Sequence, residues 1–403
     1  MDTNRKKPIL GYLSAAPRVS TRPDAELGGA RTHVLGVMQA FQALHWDVKP
    51  FIVGDRLSPV WSKKGSESIV RSGGIKALAA DLMRLSMGAI NARRAWRELG
   101  DQVDWVYERA ASLQSLGGAF KCHNVPWILE TNAPLFYEAK QERKTIVLSS
   151  LARRLEIRAY QECDVLVCVT QALKDIIISA ANIPTEKIIV MPNGVDVNFF
   201  DPQRYQPARV FDGFTIGFVG GLYHWQRIDL LLEALGDLEK NGLRLHLVIV
   251  GDGAVRVDLE KKTRELRLVD QVKFVGQIPR DDVPAYTRGF DIGYSGQVPL
   301  SIGAMYLSPL KLYEYMAMAK SVIASDLSDA QRLVVEGKTG YLFQPGNKDS
   351  LKGKLIEAFE NKTRLADMGR QARKEIVNHH SWTSRVSSLI EAVENILAQN
   401  KHL

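Results

Sequence analysis

The chain has 403 residues, 45% hydrophobic and 24% charged, the make-up of a soluble globular protein long enough for two domains. Its formal net charge of +8 is uneven: residues 1–200 hold 26 Lys and Arg against 20 Asp and Glu, or +6. No apolar run reaches membrane-spanning length and the start reads as a first strand, so no signal peptide is expected; Cys122, Cys163 and Cys168 form no CxxC pair and are expected as reduced core residues of a cytoplasmic protein.

Short apolar runs alternate with longer helical patterns along the chain. ILGYLS, DVKPFIV, DWVYER, PWILE and DVLVCV read as buried strands, with THVLGVMQAFQAL and SSLARRLEIRAYQEC as helices. After residue 212 the alternation restarts with FTIGFVG, LHLVIVG, QVKFVG, DIGYS, SVIAS and YLF, and with IDLLLEALGDLEKN as a helix. Two such sets predict an α/β protein of two doubly wound domains. The aperiodic, proline-containing FFDPQRYQPARVFDG marks the boundary. The expected division is 1–205, 206–382 and a last helix over 383–403. Basic residues gather at 51–100, including Lys63, Lys64, Arg93, Arg94 and Arg97, and again from Lys140 to Arg158. Solvated surface is one reading. The other is contact with something anionic, a membrane surface or a phosphate-bearing acceptor. No motif for nucleic acid accompanies the charge.

Ligands of parallel α/β sheets bind beyond the C-terminal strand ends, so the loops there are the candidates. After the first strand, Gly28 and Gly29 allow backbone conformations and approaches that a side chain would block. They open a helix whose free N–H groups favour an anion or a sugar hydroxyl. His33 follows and is expected to pack that helix. Arg109, Glu130 and Asn132 stand at strand ends. Glu130 needs a partner if buried, and a salt bridge to Arg109 competes with a catalytic role. Asn193 and Gly194 read as a turn. In the second half, GFVGGLYHWQR holds Gly221 and Arg227, and IVGDGAVR holds Gly253. Neither is GxGxxG, which argues against a dinucleotide oxidoreductase. FVGQIPRDDVPAY, with Ile278, is placed to offer backbone groups to a flat base.

SPLKLYEYMAM, residues 308–318, carries the most chemistry. Pro309 suits a first helical turn and Ser308 an N-cap. Leu310 then starts a helix whose N-terminus favours phosphate. Lys311 adds a compact cation. Glu314, one turn on, is able to accept hydrogen bonds from a vicinal diol such as ribose. Phosphate, cation and diol acceptor together describe a nucleotide site.

These segments, in this order, resemble the family 4 glycosyltransferases of GT-B fold over nearly the whole chain. The motifs are GGARTHV, CDVLVCVTQALKDII, IIVMPNGVDVNFFDP, GFVGGLYHWQRIDLLLEAL, LVIVGDGAVR, VKFVGQIPRDDVPAY, SPLKLYEYMAMAKSVIAS and GKTGYLFQPGN. The resemblance implies two Rossmann-like domains facing each other across a cleft. The first would bind the acceptor, the second the nucleotide sugar, and the last helix would cross back to the first. It implies retaining transfer without a metal or other cofactor, from a UDP- or GDP-sugar to a sugar, lipid-linked or small-molecule acceptor. The setting would be cytoplasmic or peripheral on the inner membrane face. Glu314 matches the second glutamate of the family's E-x7-E element. Ser308, Pro309 and Leu310 match the backbone holding the donor's phosphates and sugar, and Gly28 and Gly29 the loop near the transferred sugar. The sequence departs from the family's pattern in three ways. Tyr306 stands where the first glutamate falls, Gly221 and Gln226 where an Arg/Lys pair falls, and Asn132 where a histidine is frequent. Arg227 and Lys311 would then supply the charge at the pyrophosphate, and Asn132 would hydrogen-bond a sugar hydroxyl. A catalytically degenerate nucleotide- or sugar-binding protein and a GT-B epimerase are the competing readings.

Overall fold

The computed structural model describes residues 7–25, 28–57, 75–138 and 146–400. Lys63, Lys64 and the stretch from Lys140 to 145 lie outside the described residues. The chain forms two units, Met1–Pro192 with Trp382–Leu403, and Asn193–Ser381. The change of unit thus falls ahead of the proline-containing stretch, between Pro192 and Asn193, so Asn193 and Gly194 stand at the division.

In the first unit, β1 (Ile9–Ser14), β2 (Asp47–Ile52), β3 (Trp105–Arg109), β4 (Trp127–Thr131), β5 (Val165–Cys168) and β6 (Ile188–Val190) form one sheet. Its order is β2-β1-β3-β4-β5-β6, with every pair parallel. Pro50 is tolerated because β2 is an edge strand and needs only one ladder. The strand order reverses between β1 and β3, the kind of switch point that opens a crevice at the carboxyl ends. The helix Gly29–Ala43 follows β1, and the last helix, Trp382–Asn400, packs on it. Gly36 makes that contact close, since a Cβ there would lie 2.3 Å from the Trp382 ring. Trp382, Val386, Leu389 and Val393 are the buried stripe of the last helix, at helical spacing.

In the second unit, β7 (Thr215–Val219), β8 (His246–Val250), β9 (Val272–Gly276), β10 (Ile292–Ser295), β11 (Ser321–Ser325) and β12 (Gly340–Phe343) follow the order β12-β11-β10-β7-β8-β9, again parallel. Its switch point lies between β7 and β10. Alternate residues of β8 feed two cores: Leu247 and Ile249 pack with Phe218 and Leu231, and Val248 and Val250 pack with Leu312 and Tyr315. Helices therefore cover both faces, which is why the strands read as continuous apolar runs. Cys163 and Cys168 are buried, but Cys122 is exposed rather than a core residue.

Candidate functional site

The helix Leu310–Ala317 follows β10, and Tyr315 fixes it to the end of β7, its hydroxyl oxygen accepting from the Val219 N–H at 2.7 Å. The helix start differs from the expectation. Pro309 is the N-cap and receives no side-chain cap, so Ser308 does not cap the helix. Its hydroxyl is claimed by tertiary partners instead. Ser308 Oγ accepts from the Asn193 N–H at 3.0 Å and donates to Asp329, while Asn193 Nδ2 donates to the Ser308 carbonyl at 2.6 Å. Tyr313 also donates to Asp329, at 2.8 Å. Asn193 and the SPLK loop are therefore one hydrogen-bonded assembly within the second unit.

Lys311 is buried, only 8% exposed, and donates to Gln226 Oε1 at 2.8 Å. Its ammonium also sits 4.9 Å from the centre of the Phe218 ring. No carboxylate pairs with it among the described residues. Burial brings its pKa down to about 8, with Glu314 opposing the shift. Glu314 keeps some solvent exposure, yet the protein packed around it pushes its pKa up to about 7, against the pull of Arg280 and Lys311. No described group donates a hydrogen bond to its carboxylate. A buried cation without a counter-ion and a carboxylate without a donor are both short of partners. They lie three residues apart on one helix and so share a face.

The loops around this helix are held backbone to backbone. Gly220 N–H donates to Val250 O at 2.9 Å, Leu222 N–H to Asp252 O at 3.0 Å, and Gly251 N–H to Gly276 O at 2.8 Å. A Cβ on Gly251 would meet Gly220 O at 2.1 Å, and one on Gly253 would meet Leu222 O at 2.5 Å. Loop packing thus accounts for Gly253. Arg227 adopts a left-handed conformation (φ 48°), and its Nε lies 3.1 Å from Asp229. Its charge is partly answered, unlike that of Lys311. Tyr306 is wholly buried, Ile278 is half-buried, and Gly221 lies under the Tyr223 ring, which stacks on Trp225 at 4.6 Å.

In the first unit, sheet register explains the polar cluster. Ser14 is level with Arg109, and Arg109 with Glu130. Tyr12 and Tyr107, two residues earlier on their strands, point to the same face and stack at 5.6 Å. Glu130 is fully buried, and His33 Nε2 lies 2.6 Å from its Oε1. Arg109 is farther, at 3.9 Å from Oε2. Burial alone would raise the Glu130 pKa. The charge and hydrogen bond of His33, helped by Arg109, hold it below the usual carboxylate value. His33 also meets Trp382 edge-on at 5.0 Å, so it packs its helix and partners Glu130 together. Tyr12 Oη, Ser14 Oγ and both amide atoms of Asn132 are buried without a hydrogen-bond partner among the described residues, while Tyr107 lies against Glu130. Gly28 corrects an expectation: its backbone is extended (φ −175°), and a Cβ there would meet nothing within 4 Å. Neither conformation nor packing demands glycine at that position. Gly29 begins the helix beside it, exposed.

The structure thus gathers Arg109, Glu130 and His33 in one unit, and Ser308, Pro309, Leu310, Lys311 and Glu314 in the other. Sequence reading missed Gln226 as the partner of Lys311, Asp329 as the acceptor behind Ser308, and Tyr12 and Tyr107 beside Glu130. The two-residue alternation of the strands is the signal that would have set Tyr12 and Tyr107 on the faces of Ser14 and Arg109. Among the described residues no cluster of His, Cys, Asp or Glu has a metal-binding arrangement, and no helix is long and apolar enough to cross a membrane.

Comparison with known proteins now bears on this arrangement. Residues 27–199 match the model of Glycosyltransferase Family 4, and residues 201–375 that of Glycosyl transferases group 1. The chain belongs to the family 4 glycosyltransferases. It is 25% identical over 259 residues to the GDP-mannose-dependent alpha-(1-6)-phosphatidylinositol monomannoside mannosyltransferase of Mycolicibacterium smegmatis, a match covering 60% of this chain and 65% of that protein. It is also 25% identical over 300 residues to the UDP-Gal:alpha-D-GlcNAc-diphosphoundecaprenol alpha-1,3-galactosyltransferase of Escherichia coli, covering 72% of this chain and 74% of the relative. The match thus spans less than two thirds of the mycobacterial protein's length. Among solved structures, Anabaena HepE in complex with UDP superposes with a TM-score of 0.67 at 17% identity, covering 96% of this chain and 100% of that one. That likeness establishes the GT-B fold of the two six-stranded parallel sheets.

Proposed function

We propose that this family member is a retaining glycosyltransferase that moves a sugar from a UDP- or GDP-sugar to a sugar or lipid-linked acceptor in glycan or glycolipid assembly. The observation that carries the reading is Lys311: a buried cation, without a carboxylate partner, one helical turn from the undonated carboxylate of Glu314. A nucleotide answers both, its diphosphate pairing with Lys311 and the helix N-terminus, its ribose diol donating to Glu314. Ser308, Pro309 and Leu310 offer the loop backbone to the phosphates and sugar, with the Ser308 hydroxyl engaged by Asn193 and Asp329. Gly221, Gly253, Ile278, Tyr306 and Arg227 line the donor's surroundings in this reading, Arg227 as a secondary cation.

The second unit is proposed to hold the donor, and the first the acceptor. Asn132 offers a neutral donor and acceptor for a sugar hydroxyl, and Glu130, Arg109 and His33 set the charge around it. Gly28 and Gly29 leave room for the transferred sugar. In the proposed step the bond between the anomeric carbon and the diphosphate breaks. The acceptor oxygen bonds to that carbon from the same face, and the departing phosphate takes the acceptor's proton. Lys311 stabilises the negative charge that develops on the leaving group. The relatives named for GDP-mannose and for UDP-Gal support a UDP- or GDP-sugar. The setting we propose is cytoplasmic, with peripheral attachment to an anionic membrane face through exposed arginines such as Arg93 and Arg94.

Incubation with UDP- and GDP-sugars and cell-derived glycan and lipid acceptors, read by NMR of the product's anomeric centre, tests the reading. An α-linked product from an α-linked donor supports it. Tight nucleotide binding with no turnover on any donor would favour the non-catalytic reading instead.

A further inference from the structure

The helix Ile75–Leu99 presents an apolar stripe. Leu78, Leu82, Leu85 and Ala89 follow at spacings of four, three and four residues, so they line one side. Leu82 is 55% exposed and Leu78 38%. At its far end the stripe runs into a cavity of about 320 Å³ in the first unit. Leu85, Ala89, Leu129, Leu135, Leu155 and Ala159 line its apolar walls. The facing helix, Ser149–Glu162, carries the wall residue Leu155 and, one turn earlier, the exposed Leu151. An apolar cavity that continues onto exposed apolar side chains marks a ligand that is itself part inside and part outside.

The cavity's position says what kind of ligand. Its wall residue Ala110 directly follows Arg109 at the end of β3, and Leu135 lies three residues beyond Asn132, after β4. Polar groups also line it: Gln114 Oε1 is buried without a partner among the described residues, Glu156 accepts from the Leu135 and Phe136 N–H groups at 2.9 and 2.7 Å, and Arg158 pairs with Glu162. Exposed positive charge surrounds the stripe. Arg93 lies one turn beyond Ala89, and Arg93, Arg94 and Arg154 are exposed, with no acidic partner among the described residues. Apolar walls, arginines and adjacency to the proposed acceptor residues match an amphiphile with an anionic head.

We infer that this cavity holds the first part of the hydrocarbon chain of a lipid-linked acceptor, an acyl or prenyl chain attached to a phosphate. The inference rests on the glycosyltransferase reading and names the acceptor's class. The cavity takes the chain segment nearest the phosphate, the stripe Leu78–Leu82–Leu85 covers the next segment, and the arginines face the phosphate. Each methylene buried strengthens binding about fourfold.

Binding of farnesyl phosphate below its aggregation threshold, followed by tryptophan fluorescence, tests this, with inorganic phosphate and anionic phosphatidylglycerol vesicles as the other arms. Saturable binding of farnesyl phosphate, no binding of inorganic phosphate, and a loss of about tenfold or more in Ala89→Trp, which fills the cavity, are expected. Leu85→Lys should weaken binding as well, while both variants keep the wild-type melting shift with nucleotide. Equal affinity for farnesyl phosphate and inorganic phosphate would overturn the proposal. So would equal affinity in wild type and Ala89→Trp, or recruitment by vesicles alone. Saturable farnesyl phosphate binding without any nucleotide binding would uphold the cavity and sink the transferase reading, so the two failures are distinguishable.

Discussion

Replacing Lys311 by methionine separates the helix's architecture from its ligand. The side chains are of similar length, and the cavity around the stem stays filled. Burial lowers the Lys311 pKa from 10.5 to about 8. At about 1.36 kcal/mol per unit, holding the proton in the folded state opposes folding by about 3 kcal/mol at neutral pH. The variant removes that penalty but leaves Gln226 Oε1 without its donor, which costs about 1–3 kcal/mol. The unliganded variant should therefore be as stable as the wild type or more so, by up to about 2 kcal/mol in urea unfolding at pH 7. The pH dependence follows from the same shift. The folded state releases this proton near pH 8, whereas the unfolded chain holds it until about 10.5, so wild-type stability rises with pH across that window. Below about pH 8 both states hold it and the penalty is constant. The variant lacks the rise. It should also lose nucleotide-induced stabilisation, which for the wild type reaches about 2.7 kcal/mol at a hundred times Kd. A variant destabilised by more than about 2 kcal/mol, still stabilised by nucleotide, would refute the assignment of Lys311 as a cation held for a ligand.

Nucleotide affinity should peak between about pH 7 and 8, where Glu314 is ionised and Lys311 still protonated; calorimetric titration across pH 6 to 9 reads this, and Glu314→Gln should flatten the acid limb. Glu130→Ala strips the buried charge facing His33 and Arg109 and should destabilise by about 3–5 kcal/mol in urea, a loss below about 1 kcal/mol arguing that the cluster is not an ion pair. Asn132→Ala removes an amide with no internal partner, so stability should stay within about 0.5 kcal/mol while acceptor KM rises; unchanged KM would take Asn132 out of the acceptor site. Gly251→Ala sets a Cβ 2.1 Å from Gly220 O at φ +130° and should lower stability by more than about 2 kcal/mol, as thermal unfolding would show.

The twelve strands illustrate what local sequence encodes. Eleven are apolar runs closed by turn residues, and they are visible because parallel strands are covered on both faces. The twelfth, Ile188–Val190, is three residues long at a sheet edge, too short for a pattern. The helix Ile75–Leu99 was read only as charge, since its arginines masked an apolar stripe that shows itself once the helix is drawn as one. Lys311 and Glu314 were legible because they share a turn. Their surroundings were not. Gln226 lies 85 residues from Lys311, and Asn193 lies 115 from Ser308. Local propensity assigned the Ser308 hydroxyl to the helix it precedes, and tertiary contacts took it elsewhere. The Glu130 cluster depends in the same way on His33, 97 residues away.

The central claim is that the helix after Ser308 binds the nucleotide of a sugar donor. Melting of the purified protein with UDP, GDP, ADP and dTDP, in wild type and Glu314→Ala, tests it most directly. UDP or GDP should raise the wild-type melting temperature and leave Glu314→Ala unmoved. No shift with any of the four, or an equal shift in both proteins, would contradict the account.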